Sequence, residues 1–141
     1  MVNEARISRL YVVKTGGDVQ DATPNAPDNP PNPPAQNFNL VLEMEAGGAV
    51  AGQYDLHLVA YDLTAGAVNN AMKPPVGVLN GTANFAAPPW NISLGDWAFD
   101  QQDKINVPAG VSGHIFNYVA ALVSHNYQQV DIKESELFVL V

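Results

Sequence analysis

Cysteine is absent from this 141-residue chain, which excludes a disulfide framework, a thiolate metal site and a cysteine nucleophile. Positive charge is scarce as well, since six Lys and Arg stand against 14 Asp and Glu and leave a formal net charge of −8. Without a basic stripe, nucleic acid is not an expected partner. No apolar run approaches the roughly 20 residues that span a bilayer, and residues 1–4 lack the basic start of a signal peptide. We therefore expect a soluble protein with no membrane partner. The sequence does not predict the cellular compartment.

Charged residues make up only 14% of the chain, well below the roughly 25% of an average globular protein, whereas the hydrophobic share is an ordinary 47%. Asn, Ala, Val, Gly and Pro take the place of the missing charged residues. This composition favours β-strands joined by uncharged loops over solvent-facing helices, which carry Glu and Lys. The length predicts a single domain over residues 1–141.

A Pro- and Asn-rich arm, residues 18–37, separates the first two predicted strands and holds six prolines within residues 24–34. Proline fixes φ at about −65° and has no N–H to donate, so this segment cannot be a helix or a central strand. Its Pro-x-x-Pro spacing suits polyproline-binding grooves. However, the arm joins two strands of one predicted sandwich and carries no basic residue. We expect a stiff connector that covers a sheet edge, its own or a neighbour's.

Alternation of apolar and polar residues with a period of two predicts most of the strands. The clearest cases are residues 38–44 and 54–60, where every second residue is apolar. Residues 115–123 are apolar on both parities, which is typical of a strand covered on both faces or at the centre of a sheet. The other predicted strands are residues 7–13, 76–85 (or a hairpin turning at Asn80-Gly81), 90–94, 105–107 and 137–141.

Seven to eight short strands with almost no helical periodicity predict an all-β fold, an antiparallel β-sandwich. The strand order resembles an immunoglobulin-like domain without the disulfide, and a jelly roll is the alternative. In that resemblance Tyr118 would lie in the penultimate strand and residues 137–141 would form the last one. The arm would be an insertion between the first two strands.

Motifs of catalysis are missing from the chain, which has no Gly-x-Ser-x-Gly elbow, no phosphate-binding glycine loop and no dinucleotide fingerprint. The three histidines, His57, His114 and His125, show none of the His-x-His or His-x-x-x-His spacings of metal sites. We predict no catalytic residues, no metal site and no cofactor, and hence a protein that is not an enzyme.

Glu43, Glu45 and His57 are the set that would support an enzyme. If the strands at 38–44 and 54–60 form a hairpin, Glu43 lies opposite His57, and the resulting patch could hold a metal or move a proton. In an immunoglobulin-like order the two strands belong to different sheets and the patch does not form. A solvated strand face is the preferred interpretation, and a metal-dependent enzyme is the least favoured function.

Acidic and amide residues surround an aromatic ring at residues 96–102. Trp97 follows Asp96, and Asp100 and Gln101 come shortly after it. An aromatic ring beside carboxylates and amides is typical of sugar-binding loops, and closely spaced carboxylates can hold Ca²⁺, although the EF-hand pattern is absent. Trp97, Asp96, Asp100 and Gln101 are therefore candidate ligand-binding residues. The alternative is a core tryptophan flanked by turn aspartates.

The sequence thus predicts a non-enzymatic interaction or binding module that contacts a protein or a glycan through its loops. The alternative is a self-assembling structural subunit that uses the arm and the all-apolar residues 137–141, since an exposed strand edge of that kind pairs readily with another chain. A homo-oligomer is expected.

Overall fold

Two antiparallel β-sheets form the computed structural model of this protein, which describes residues 5–14, 19–24, 37–46, 53–73, 81–84, 98–124 and 130–140. Within these residues the strands are β1 (Ala5–Lys14), β2 (Asn37–Ala46), β3 (Gln53–Asp62), β4 (Ala67–Val68), β5 (Gly81–Asn84), β6 (Ala98–Asn106), β7 (Ile115–Ser124), β8 (Val130–Glu134) and β9 (Phe138–Val139). One 3-10 turn, Asn70–Met72, follows β4. This nearly all-β arrangement is consistent with a β-sandwich, the fold class that the sequence predicts.

Sheet A has the strand order β1-β2-β6, with β2 in the centre. Leu40 of β2 pairs with Val12 on one side and with Asp103 on the other. A β-bulge interrupts β1, because the register shifts between Ile7 and Arg9 and leaves Ser8 without a partner residue on β2. Beside the bulge, the Ile7 N–H donates to the Asp131 carboxylate of β8 at 2.6 Å. This contact ties an edge strand of sheet A to sheet B.

Sheet B has β3 and β7 at its centre. Both β4 and β5 pair with the outer edge of β3, and both β8 and β9 pair with the outer edge of β7. The sheet is therefore four strands wide, and its two outer positions are each shared by two short strands. Consecutive strands β2 and β3 lie in different sheets.

Inward-facing residues of both sheets meet in one core, and each of them is at most 6% exposed. They alternate along their strands as the period of two predicts. The members from the three central strands are Phe38, Leu40, Leu42 and Met44 of β2, Leu56, Leu58 and Ala60 of β3, and Phe116, Tyr118, Ala120 and Leu122 of β7. This shared core holds the two sheets face to face.

Four aromatic rings form one end of the core. Phe138 lies 5.7–6.0 Å, centroid to centroid, from the rings of Phe38, Phe116 and Tyr118. The Tyr118 hydroxyl donates to the Met72 carbonyl at 2.5 Å, so the one polar atom of the cluster has a partner. Burial raises the pKa of Tyr118 well above its ordinary value. The hydroxyl thus fastens the 3-10 turn to β7.

A second, smaller buried cluster lies on the outer face of sheet A. Tyr11, Val13 and Val41 point away from the main core, since Leu10, Val12 and Leu42 occupy the inward parity of the same strands. Val13 and Val41 are each only 1% exposed. The outer face of sheet A is therefore covered at this point.

Strand positions agree with the prediction most closely for β1, β2, β3 and β7. In β7 one parity is buried and the other only partly so, and the strand is central in its sheet, which matches one of the two predicted arrangements. β6 begins earlier than the predicted residues 105–107, and β8 was not predicted. The predicted strand at 90–94 and most of the arm, residues 25–36, lie outside the described residues.

Candidate interaction surface

Of the four ligand-binding residues predicted from the sequence, the structure describes two. Trp97 and Asp96 lie outside the described residues. Asp100 and Gln101 belong to strand β6, where their partners on β2 are Glu43 and Leu42. Since Asp100 and Gln101 lie in a strand and not in a loop, the four residues are not shown to form one site, and their role stays a prediction.

Glu43 and His57 do not face each other, because β2 and β3 lie in different sheets. His57 pairs with Ala121 of β7. Glu43 instead accepts a hydrogen bond from the Tyr11 hydroxyl at 2.9 Å and lies 3.7 Å from the Arg9 guanidinium. The carboxylate–imidazole patch considered for a hairpin is thus absent here. Among the described residues, no three His, Asp or Glu side chains are placed to hold a metal ion.

The start of the arm, residues 19–24, runs between the two sheets. The Asp21 N–H donates to the Val12 carbonyl of β1 at 2.9 Å, and the Ala22 carbonyl accepts from the Val139 N–H of β9 at 2.9 Å. A cleft of about 240 Å³ lies along this segment, lined partly by Tyr11, Gln20 and Glu136. This part of the chain therefore occupies the outer edge of β9.

The apolar C-terminal strand is bonded within its own sheet. Phe138 and Val139 pair with Phe116 and Ile115 of β7. Both Phe138 and Leu140 are buried in the core. With Ala22 on its other side, β9 has no unpaired edge at Val139, and so the described residues offer no pairing edge here for another chain.

A buried carboxylate and a partly exposed imidazole meet at one end of the sandwich. The Asp62 Oδ2 and His114 Nδ1 atoms lie 2.7 Å apart, and Asp62 is only 3% exposed. Burial raises the pKa of Asp62, but the hydrogen bonds from His114 and the Ala65 N–H, with smaller contributions from the charge of His114 and the Thr64 N–H, outweigh it and lower the pKa below its ordinary value.

Such a pair can orient an imidazole as a general base. Nucleophilic catalysis would also need a hydroxyl on the ring, and within the described residues neither Ser112 nor Thr64 is bonded to it; the Thr64 hydroxyl accepts from the Ile115 N–H instead. Gly113, at φ +79°, closes the turn that carries His114. The clearest consequence of the pair is structural, because it joins the loop after β3 to the loop before β7.

The outer face of sheet B holds six of the nine exposed large apolar side chains among the described residues. Cross-strand partners share a face, so the pairings place in one layer Val59, Tyr61, Val68, Ile115, Val119, Ala121, Val123, Val130 and Ile132. Val59 is 36% exposed, Val130 59% and Ile132 61%. Valines on the outer face of sheet A are buried, as Val13 and Val41 show, whereas on sheet B Val59, Val68 and Val130 are exposed and Val119 and Val123 are half-buried.

Among the described residues, two carboxylates lie on this face. Asp55 lies on the central strand β3, in the row of Val123 and Val130, between β5 and β7, and Glu134 is paired with Val119 on the outermost strand. The other titratable residues of the layer are His57 and Tyr61, and Asn117, the partner of Tyr61, adds an amide. A mainly apolar surface with a few polar groups is compatible with a protein–protein interface, and contiguous exposed apolar patches often mark interaction sites.

The sequence did carry a signal for this surface. Val130 and Ile132 alternate with Asp131 and Lys133, which predicts a strand with one apolar side. The pattern does not say whether that side faces the core or solvent. Only the pairing of β8 with β7 turns it outward.

Among the described residues, no helix has the length and apolarity needed to cross a bilayer. Comparison with protein-family models, with curated proteins and with solved structures finds no match to this chain.

Proposed function

We infer that this protein is a non-enzymatic interaction module with an immunoglobulin-like topology, and that its contact surface for another protein is the outer face of sheet B. The observation that carries this proposal is the exposure of an apolar layer of one sheet, while the equivalent layer of the other sheet is buried at Val13 and Val41.

The strand pairing supports the immunoglobulin-like part. In that fold the strands A, B and E share one sheet, and the strands C, F and G share the other, with C′ beside C in variable-type domains. In this proposal β1, β2 and β6, which share one sheet in that order, correspond to A, B and E. Similarly β3, β7 and β8 would correspond to C, F and G, and β4 and β5, which both pair with β3, would correspond to C′. The arm would then lie between strands A and B.

The choice of a protein partner follows from the chemistry of the face. Glycans are recognised through many directional hydrogen bonds, whereas this layer offers aliphatic carbon and few polar groups. Nucleic acid would be repelled by a chain of net charge −8. A glycan-binding role for Trp97, Asp96, Asp100 and Gln101 stays a separate prediction from the sequence.

Site-directed photo-crosslinking in the cells that produce the chain tests the proposal. A photoreactive residue replaces Ile132 on the face in one variant and Val19, which is 74% exposed and lies off both sheets, in the other. We expect discrete crosslinked protein products from position 132, which vanish when Val59→Lys is added, and none from position 19. Equal products from both positions, or none from position 132, would contradict the proposal.

A further inference from the structure

We propose that the occupant of the outer face of sheet B is a second copy of this chain, bound face to face about a two-fold axis. This inference rests on the proposed function and names its partner. The first argument is shape. An antiparallel sheet face is packed best by another sheet face, at a separation of about 10 Å with nearly aligned strands. A second copy supplies such a face by necessity, and a two-fold axis makes the contact self-complementary and closed.

The second argument is area. Four strand positions at about 4.8 Å and the nine residues of β7 from Ile115 to Val123 at about 3.4 Å give a face of roughly 500 Å². Two copies would remove roughly 1,000 Å² from water, which reaches the lower end of specific interfaces. We therefore expect a dimer that forms and dissociates with protein concentration.

The third argument is charge. A partner recognised through opposite charge would need a strongly charged face, and the described residues of this face carry two carboxylates, Asp55 on β3 and Glu134 on β8. Two chains of net charge −8 repel each other, so contact is cheapest where carboxylates are fewest. The layer around Val59, Val119 and Ala121 is such a place, and the dimer should tighten as added salt screens the remaining repulsion.

Analytical ultracentrifugation of the purified full-length chain, from about 10 μM to about 1 mM, tests this inference. The wild type should show a reversible monomer–dimer equilibrium. Val59→Lys should raise the dimer dissociation constant about 100-fold or more, because the two-fold axis places the buried charge in the interface twice. Ile132→Lys should act in the same direction. The control Val19→Lys makes the same change of residue and charge off the face and should leave the equilibrium within about twofold of the wild type.

Circular dichroism and thermal unfolding serve to check that each variant is folded. Both altered face side chains point to solvent, so the sheet should tolerate the lysines. In parallel, chemical shifts followed by NMR between the same concentrations should change at β3, β7 and β8 and not at β1 or β2.

A wild type that stays monomeric at about 1 mM would overturn the inference, and so would a dimer that Val59→Lys and Ile132→Lys leave intact. If such a monomer still yields crosslinks from position 132 to a different protein, the second copy is wrong and the interaction function stands. If it yields no crosslinks either, both proposals fail.

Discussion

The His114 ring and the Asp62 carboxylate, 52 residues apart in the chain, are in direct hydrogen-bond contact across 2.7 Å. The other oxygen of Asp62 accepts from the Ala65 N–H at 3.0 Å. One buried carboxylate therefore organises the loop after β3 and holds it against the turn before β7. Because Asp62 is buried and hydrogen-bonded, replacing it should lower the stability of the whole fold.

Asp62→Asn should lower the free energy of unfolding near neutral pH by about 1–3 kcal/mol, since it removes a charge-assisted hydrogen bond from a buried position. Chemical denaturation measures this loss. The control is Glu134→Gln, which makes the same chemical change on an exposed strand and should fall within about 0.5 kcal/mol of the wild type.

The stabilisation that Asp62 provides should depend on pH in a defined direction. The folded-state pKa of Asp62 lies below its ordinary value of 3.8, so between the two values the unfolded chain binds more protons than the folded one. The stabilisation is present above pH 3.8 and is lost as the pH falls through the folded-state pKa. The difference in unfolding free energy between the wild type and Asp62→Asn should therefore shrink as the pH falls. A difference that stays constant would contradict a lowered pKa of Asp62 in the folded protein.

Tyr118→Phe should cost about 1–3 kcal/mol of unfolding free energy, because the buried Met72 carbonyl would lose its donor. The aromatic packing of Tyr118 against Phe138 would remain, so the hydroxyl alone is tested. Tyr61→Phe, on the exposed face of sheet B, is the matched control and should be nearly neutral in dilute solution. Equal effects of the two substitutions would show that the Met72 contact is unimportant.

Alkaline pH gives Tyr118 a second readout. Since burial raises its folded-state pKa above the ordinary value of 10.0, the folded protein keeps a proton that the unfolded chain loses there. The stabilisation is complete below pH 10.0 and is lost as the pH rises toward the folded-state pKa. Unfolding followed from about pH 9 to about pH 11 should therefore show a steeper decline for the wild type than for Tyr118→Phe.

Ser135→Ala should destabilise the fold by about 1–3 kcal/mol. The Ser135 hydroxyl accepts from the Tyr118 N–H at 2.8 Å and donates to the Glu136 carbonyl at 3.0 Å. Without it, a backbone N–H in the central strand β7 loses its partner. Ser112→Ala, at an exposed turn, is the control for denaturation and should change little. A fully stable Ser135→Ala protein would mean that water or a backbone shift replaces the hydroxyl.

The sequence predicted strands best where one-sided burial and alternation coincide. Phe38, Leu40, Leu42 and Met44 are apolar, alternate and are buried, so β2 was found with nearly its true bounds. The first part of β6 was missed because Asp100, Gln101, Gln102 and Asp103 lie in an edge strand of sheet A, where polar residues are tolerated and the sequence resembles a loop.

The candidate surface could not be predicted, for a different reason. Which face of a strand meets solvent depends on its neighbours, and neighbours in this fold are distant in sequence. Val59 lies beside Val119, which comes 60 residues later in the chain. A similar separation in sequence hid the contact between Asp62 and His114. Local pattern predicts elements, but it does not predict the pairings that bring surfaces and contacts together.

The pairing of the central strands also governs when the chain can fold. Phe38 pairs with Ile105 in sheet A, and Leu56 pairs with Leu122 in sheet B, so neither sheet is complete until β6 and β7 have left the ribosome. Proteins dominated by such distant pairings fold in milliseconds to seconds. Until then the apolar sides of β2 and β3 cannot be buried against a complete opposing sheet. A growing chain of this kind would depend on rapid completion, or on a chaperone, to avoid aggregation.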